Sequence, residues 1–103
     1  MNRSAVLAPA ARRDLRQAIS RIASDNPAAA RRLREAVGLA LNRLGANPLV
    51  GAARPALTLE RFRFLAVGRF PYLLVYTADT DPPRVLRLLH MARDIAAILA
   101  ERR

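Results

Sequence analysis

The sequence predicts an α+β fold on three observations. Apolar residues in the first half recur at helical spacing within two Ala/Arg-rich segments. In the second half the pattern changes to alternating or continuous apolar runs, which are typical of strands. Short Gly/Pro/Asp-rich turn signals separate those runs. The length of 103 residues suits one domain, which we expect to span residues 1–103.

A short strand and a helix are predicted first. The run from Arg3 to Leu7 is suited to a strand, and Pro9 fits the first turn of a helix, where the missing N–H costs nothing. The helix is expected to end near Ser24. Its apolar stripe is Ala11, Leu15, Ile19 and Ile22.

A second helix follows at once. Asn26 is a good N-cap and Pro27 sits at the first helical position. Glycine and proline in the stretch Gly45–Pro48 should stop the helix. Its apolar stripe is Leu33, Val37, Leu41 and Leu44. Two helices joined by so short a break predict an antiparallel helical hairpin.

The second half predicts a loop at Leu49–Leu59 and then a three-stranded antiparallel meander. The strands are "RFRFLAV", "YLLVYTA" and "RVLRLLH", and "GRFP" and "DTDPP" turn the chain between them. The hairpin should cover one face, and the first strand should join an edge or pair inside the sheet. Asp94 is predicted to cap a short last helix.

Composition excludes several kinds of site. The chain has no cysteine, so disulfides and thiolate metal sites are ruled out, and a single histidine argues against zinc. We expect no metal and no cofactor. The apolar run at the N-terminus is too short for a signal peptide, and no run is long enough to span a bilayer. We therefore expect a cytoplasmic protein with no membrane partner.

The charge is strongly positive. All eighteen basic residues are arginine, and eight acidic residues leave a formal net charge of +10. Without lysine there is no lysine general base, and arginine stabilises anions but does not accept a proton near neutral pH. Such an excess favours polyanions or an acidic protein partner.

Three stretches together resemble the ParE branch of the RelE/ParE toxin superfamily of bacterial type II toxin–antitoxin systems. They are "LAPAARRDLRQAISRIASDNPAAARRL", "VGRFPYLLVYTAD" and "VLRLLHMARD", and the resemblance covers nearly the whole chain. It implies a RelE/ParE-like fold and a hetero-oligomer with a cognate, ParD-like antitoxin. ParE-type relatives poison DNA gyrase, whereas RelE-type relatives cut messenger RNA on the ribosome.

The residues that the nuclease branch uses are largely missing. That branch employs lysines and arginines, or a Glu/Arg/His set, often with a tyrosine near the end. Here the loop reads "ARPAL" with Arg54 and Pro55, Leu73 stands where a nuclease arginine is typical, and no tyrosine follows "ARD". These departures favour a toxin that binds its target without chemistry of its own.

His90 is the one histidine, and two interpretations of it are open. It shares strand parity with Leu86 and Leu88, which favours a histidine at a strand end, bonded to backbone or to Asp94. As a surviving acid–base residue it would act with Arg63 and Arg87. Arg93 is suited to pair with a carboxylate or to meet a phosphate.

The remaining candidates are surface contacts. Arginines cluster around the meander, and we expect Arg63, Arg69, Arg87 and Arg93 to contact the target. The antitoxin should contact the last helix, because a terminal helix has few neighbours to cover it. Its apolar residues are Ile95, Ile98 and Leu99.

Three functional hypotheses follow. The first is a ParE-like toxin that inhibits DNA gyrase by binding. The second is a ribosome-dependent endoribonuclease built on His90, Arg63 and Arg87. The third is a degenerate toxin that only binds its antitoxin and helps to repress its own operon.

Overall fold

The computed structural model describes residues 3–53 and 62–94. Its elements, in chain order, are β1 (Val6–Leu7), α1 (Pro9–Ala23), α2 (Pro27–Ala46), β2 (Ala52–Ala53), β3 (Arg63–Ala66), β4 (Tyr72–Thr77) and β5 (Arg84–His90). The predicted last helix beyond Asp94, with Ile95, Ile98 and Leu99, lies outside the described residues, as do Arg54, Pro55 and Arg61.

The α+β prediction is confirmed, with one strand more than expected. Within residues 3–53 and 62–94, the sheet has five strands in the order β1-β5-β4-β3-β2. The strands from β2 to β5 pair antiparallel, and β1 lies at the edge, parallel to β5. The extra strand, β2, falls inside the stretch predicted as a loop.

The two helices begin and end where local chemistry dictates. Proline occupies the first turn of each, and the Asn26 side chain accepts a 3.0 Å hydrogen bond from the Ala29 N–H. Helix α2 stops at Ala46, within the predicted Gly45–Pro48 stretch. Gly45 allows the N-terminal segment to approach, since a Cβ there would meet the Arg3 carbonyl oxygen at 1.8 Å.

The core lies between the helical hairpin and one face of the sheet. Its fully buried side chains include Leu33 and Leu44 of α2 and Leu74 and Tyr76 of β4. Val37, predicted as core, is buried, and Leu15 and Ile19 pack against the cluster while partly exposed. The opposite face of the sheet carries a second buried apolar cluster, made of Phe64, Leu73, Val75 and Leu89.

Candidate functional site

His90 closes β5 and organises the turn that follows. Its Nδ1 accepts hydrogen bonds from the backbone N–H groups of Ala92 at 3.1 Å and Arg93 at 3.2 Å. In return, the Asp94 carboxylate accepts the His90 backbone N–H at 2.8 Å. These contacts are reciprocal, so the side chains of His90 and Asp94 together hold the turn formed by residues 90–94.

The same contacts select one tautomer of the neutral ring. Because Nδ1 accepts from two backbone donors, the neutral ring carries its proton on Nε2. The ring also packs edge-to-face on Tyr72, with centroids 5.3 Å apart. The imidazole is therefore part of the backbone turn at the "LLHMARD" stretch.

Arg87 is held by an acidic residue of α1. Its Nε and Nη2 donate to the two carboxylate oxygens of Asp14 at 2.7 and 3.1 Å, and the same carboxylate accepts the Leu88 N–H at 3.0 Å. Strand β1 pairs with β5 only at Arg84 and Val85, so this Leu88 N–H lies on the strand's open edge. The Asp14 carboxylate thus accepts hydrogen bonds from a backbone N–H at the strand edge and from an arginine side chain. The partners are 73 residues apart, so no local sequence pattern indicates this pair.

Arg63 is held at the other end of the sheet. Its guanidinium donates to the carbonyl oxygen of Gly51 at 2.7 Å and more weakly to that of Leu49 at 3.4 Å. The buried Tyr76 hydroxyl accepts the Gly51 N–H at 2.8 Å and donates to the Pro48 carbonyl at 2.7 Å. Both side chains therefore anchor the segment that leads into β2.

The structure does not bring Arg63, Arg87 and His90 together. Arg63 pairs with Tyr76 and His90 pairs with Tyr72, four residues apart along β4, which corresponds to about 13 Å. Arg87 pairs with Val75 and thus belongs to the opposite face of the sheet, although its guanidinium reaches Asp14.

Leu73, which replaces the arginine typical of nucleases, lies in the second apolar cluster. It is 4% exposed and packs with Phe64, Val75 and Leu89. A charged group in this position would be buried among hydrocarbon side chains at a large cost in free energy. This face of the sheet is therefore built for packing.

Arg69 and Arg93 remain exposed. Arg69 lies in the turn between β3 and β4, and Arg93 lies in the turn after β5. Of the four arginines expected to meet a target, these two therefore project into solvent, whereas Arg63 and Arg87 bind groups of the chain itself.

A groove next to Arg69 was not predicted. It encloses about 180 Å³ between α2 and the β3–β4 turn, and its lining comprises Ala36, Leu39, Ala40, Arg43, Leu65, Ala66 and Gly68. Leu39 is 71% exposed there and is the most exposed large apolar side chain among the described residues. Leu39 falls outside the predicted apolar stripe of Leu33, Val37, Leu41 and Leu44. A leucine in that position is the sequence feature that could have indicated the groove.

Two further features of the described residues bear on function. Residues 3–53 and 62–94 contain no group of three or more His, Cys, Asp or Glu side chains placed to hold a metal ion. In the same ranges, no helix has the length and apolar character needed to cross a bilayer.

The family model for the ParE toxin of the type II toxin–antitoxin system parDE matches residues 5–95. The chain belongs to this family. The match includes α1, α2, the strands from β1 to β5 and the His90–Asp94 turn, so the resemblance noted from the sequence is confirmed.

A solved structure shares the ParE-family fold. The chain is similar to one in the chromosomal ParDE TA system from P. aeruginosa, with a TM-score of 0.71 and 19% sequence identity. The alignment covers 84% of this chain and 94% of the other. No curated protein matches the sequence closely enough to count as a relative.

Proposed function

We propose that this ParE-family chain is a toxin that inhibits DNA gyrase by binding it, and that a cognate, ParD-like antitoxin neutralises it in a hetero-oligomer in the cytoplasm. Membership of the ParE family is the observation that carries the proposal. Gyrase is the target class of that branch of the superfamily.

The geometry supports binding over catalysis. Messenger cleavage needs a base, an acid and a cation gathered around one phosphate. The three residues available for that role lie about 13 Å apart or on opposite faces, and each of the three is hydrogen-bonded to backbone or side-chain groups of the chain. Leu73, at the position where a nuclease of the superfamily typically has an arginine, is buried in an apolar cluster.

The test is a supercoiling assay with purified gyrase and relaxed plasmid. The toxin is prepared from its antitoxin complex and titrated into the reaction. We expect supercoiling to fall in proportion to toxin and to recover when antitoxin is added back. Normal supercoiling at saturating toxin would contradict the gyrase assignment.

Messenger integrity and growth, followed in the same induced cells, separate the other two hypotheses. The proposal predicts growth arrest with intact messages, in wild type and in His90→Ala alike. Site-specific cuts in translated messages that disappear in His90→Ala would indicate an endoribonuclease. Normal growth with intact messages would indicate a toxin that only binds its antitoxin.

The α2 groove is our proposed antitoxin contact. Its floor is apolar and Leu39 is exposed beside it, which gives the apolar side chains of a partner segment a place to pack. Arg43 lines it and Arg69 follows the lining residue Gly68 in the chain. An amphipathic antitoxin segment with acidic residues beside its apolar ones complements both features. Contact through Ile95, Ile98 and Leu99 stays a prediction.

A further inference from the structure

The solvent face of α1 is cationic along its length. Its exposed residues are Pro9, Arg12, Arg13, Arg16, Gln17, Ser20 and Arg21. Arg12, Arg13 and Arg16 fall within an arc of about 100°, and Arg12 and Arg16 are about 6 Å apart along the axis. None of these arginines forms an ion pair within the described part of the chain.

The one acidic residue of α1 does not offset this charge at the surface. Asp14 is turned toward β5, where its side chain is only 14% exposed and binds Arg87 and the Leu88 N–H. Like charges four residues apart on a helix destabilise it slightly, so Arg12 and Arg16 repel each other in the free protein. An anionic partner would relieve that repulsion.

The residue types exposed on α1 favour one class of polyanionic partner over acidic proteins and single-stranded nucleic acids. Protein interfaces draw their affinity from buried aromatic or apolar anchors, and this face has no exposed aromatic, leucine, isoleucine, valine or methionine side chain. Single-stranded nucleic acid is held by stacking on aromatic rings, which are also missing here. A duplex phosphate backbone requires only arranged cations.

We propose that the Arg12–Arg13–Arg16 face of α1 binds the phosphate backbone of duplex DNA without reading sequence. The surface is distinct from the Leu39 groove, so an antitoxin in that groove and DNA on α1 use different residues. The inference does not rest on gyrase being the target, because it concerns direct contact between this chain and DNA.

The test is fluorescence anisotropy of the full-length toxin with a labelled 20-base-pair DNA duplex of mixed sequence, over a range of salt concentrations. The variant Arg12→Gln/Arg16→Gln removes two charges and keeps good helix formers. The charge-matched control is Arg3→Gln/Arg84→Gln, which changes two exposed arginines outside the helices.

We expect wild type and control to bind DNA with the same steep salt dependence. In the α1 variant, the slope of log K against log salt should be shallower by about 1.8, which corresponds to two lost phosphate contacts. Thermal midpoints of all three proteins should agree, since the changed side chains are exposed.

Several results would overturn the inference. One is salt-insensitive or undetectable DNA binding by the wild type. Another is an equal slope change in both double variants, which would assign the effect to net charge. Tighter binding of an RNA duplex of the same length would assign the face to RNA. Displacement of the DNA by polyglutamate at an equal concentration of negative charge would assign the α1 face to an acidic protein partner.

Discussion

Asp14 joins parts of the molecule that are far apart in sequence. Its carboxylate receives three hydrogen bonds, two from Arg87 and one from the Leu88 backbone at the open edge of β5. An unpaired strand edge invites association with other strands, and a carboxylate on an edge N–H blocks such pairing. The side chain is mostly buried, at 14% exposure, whereas Arg87 is 37% exposed. The hydrogen bond from the Leu88 N–H to Asp14 is therefore better shielded from solvent than the Arg87 guanidinium is.

We expect Asp14→Ala to lower the free energy of unfolding by about 1–3 kcal/mol, because a partly buried N–H and a guanidinium lose their acceptor. Chemical denaturation measures this. Asp25→Ala is the matched control, since that side chain is exposed in the turn between the helices, and it should change stability by less than about 0.5 kcal/mol. Equal unfolding midpoints for the two variants would contradict the role given to Asp14.

Residues 48–51, which follow α2, are held by side chains of β3 and β4. The Tyr76 hydroxyl bridges the Pro48 carbonyl and the Gly51 N–H, and Arg63 binds the Gly51 carbonyl. Gly51 allows this contact, since a Cβ there would lie 2.6 Å from Tyr76 Cε1 and 2.8 Å from the Phe64 carbonyl oxygen. The short strand β2 thus depends on a tyrosine, an arginine and a glycine from outside it.

We expect Tyr76→Phe to destabilise the protein by about 1–3 kcal/mol, because it leaves the buried Gly51 N–H without its acceptor. Hydrogen exchange at Gly51 should accelerate by more than at Leu74 in the core of β4. Tyr72→Phe is the control: that tyrosine is also buried, and its hydroxyl has no hydrogen-bond partner among the described residues. Unchanged exchange at Gly51 in Tyr76→Phe would show that the bridge is dispensable.

Periodicity predicts the helices and the three long strands because their burial patterns repeat within each element. The prolines that begin the two described helices and the Gly45–Pro48 stretch that ends α2 are likewise local signals, because each acts within a few residues of the chain. Strand β2 has no such signal: Ala52 and Ala53 are poor strand formers, and both are exposed. They are extended because they pair with Phe64 and Arg63, and that pairing depends on tertiary contacts.

The candidate site was predictable only in part, because local contacts leave a sequence signal and tertiary contacts do not. The role of His90 at a strand end follows from its parity and position, and its turn contacts span at most four residues. Arg63 and its acceptor Gly51 are 12 residues apart in the chain, whereas Arg87 and its acceptor Asp14 are 73 residues apart. No local pattern separates these two arginines from the exposed Arg69 and Arg93.

The molecule as a whole presents two different surfaces on its helical layer. Helix α1 exposes arginines without apolar anchors, whereas α2 exposes Leu39 beside a groove that reaches the sheet at Leu65 and Ala66. The first suits a solvated polyanion, and the second suits a protein that buries apolar surface. With this division, one small domain has room for partners of both kinds at once.

Leu39 offers a direct test of the antitoxin contact that we propose at the α2 groove. Burying a leucine side chain contributes about 1.5–3 kcal/mol, so Leu39→Gln should weaken antitoxin binding roughly 10- to 100-fold. Leu49→Gln is the matched control, because Leu49 is 64% exposed against 71% for Leu39 and does not line the groove. Calorimetry with the cognate antitoxin gives both affinities. Equal affinity of Leu39→Gln and wild type would exclude the groove and leave Ile95, Ile98 and Leu99 as the candidate contact.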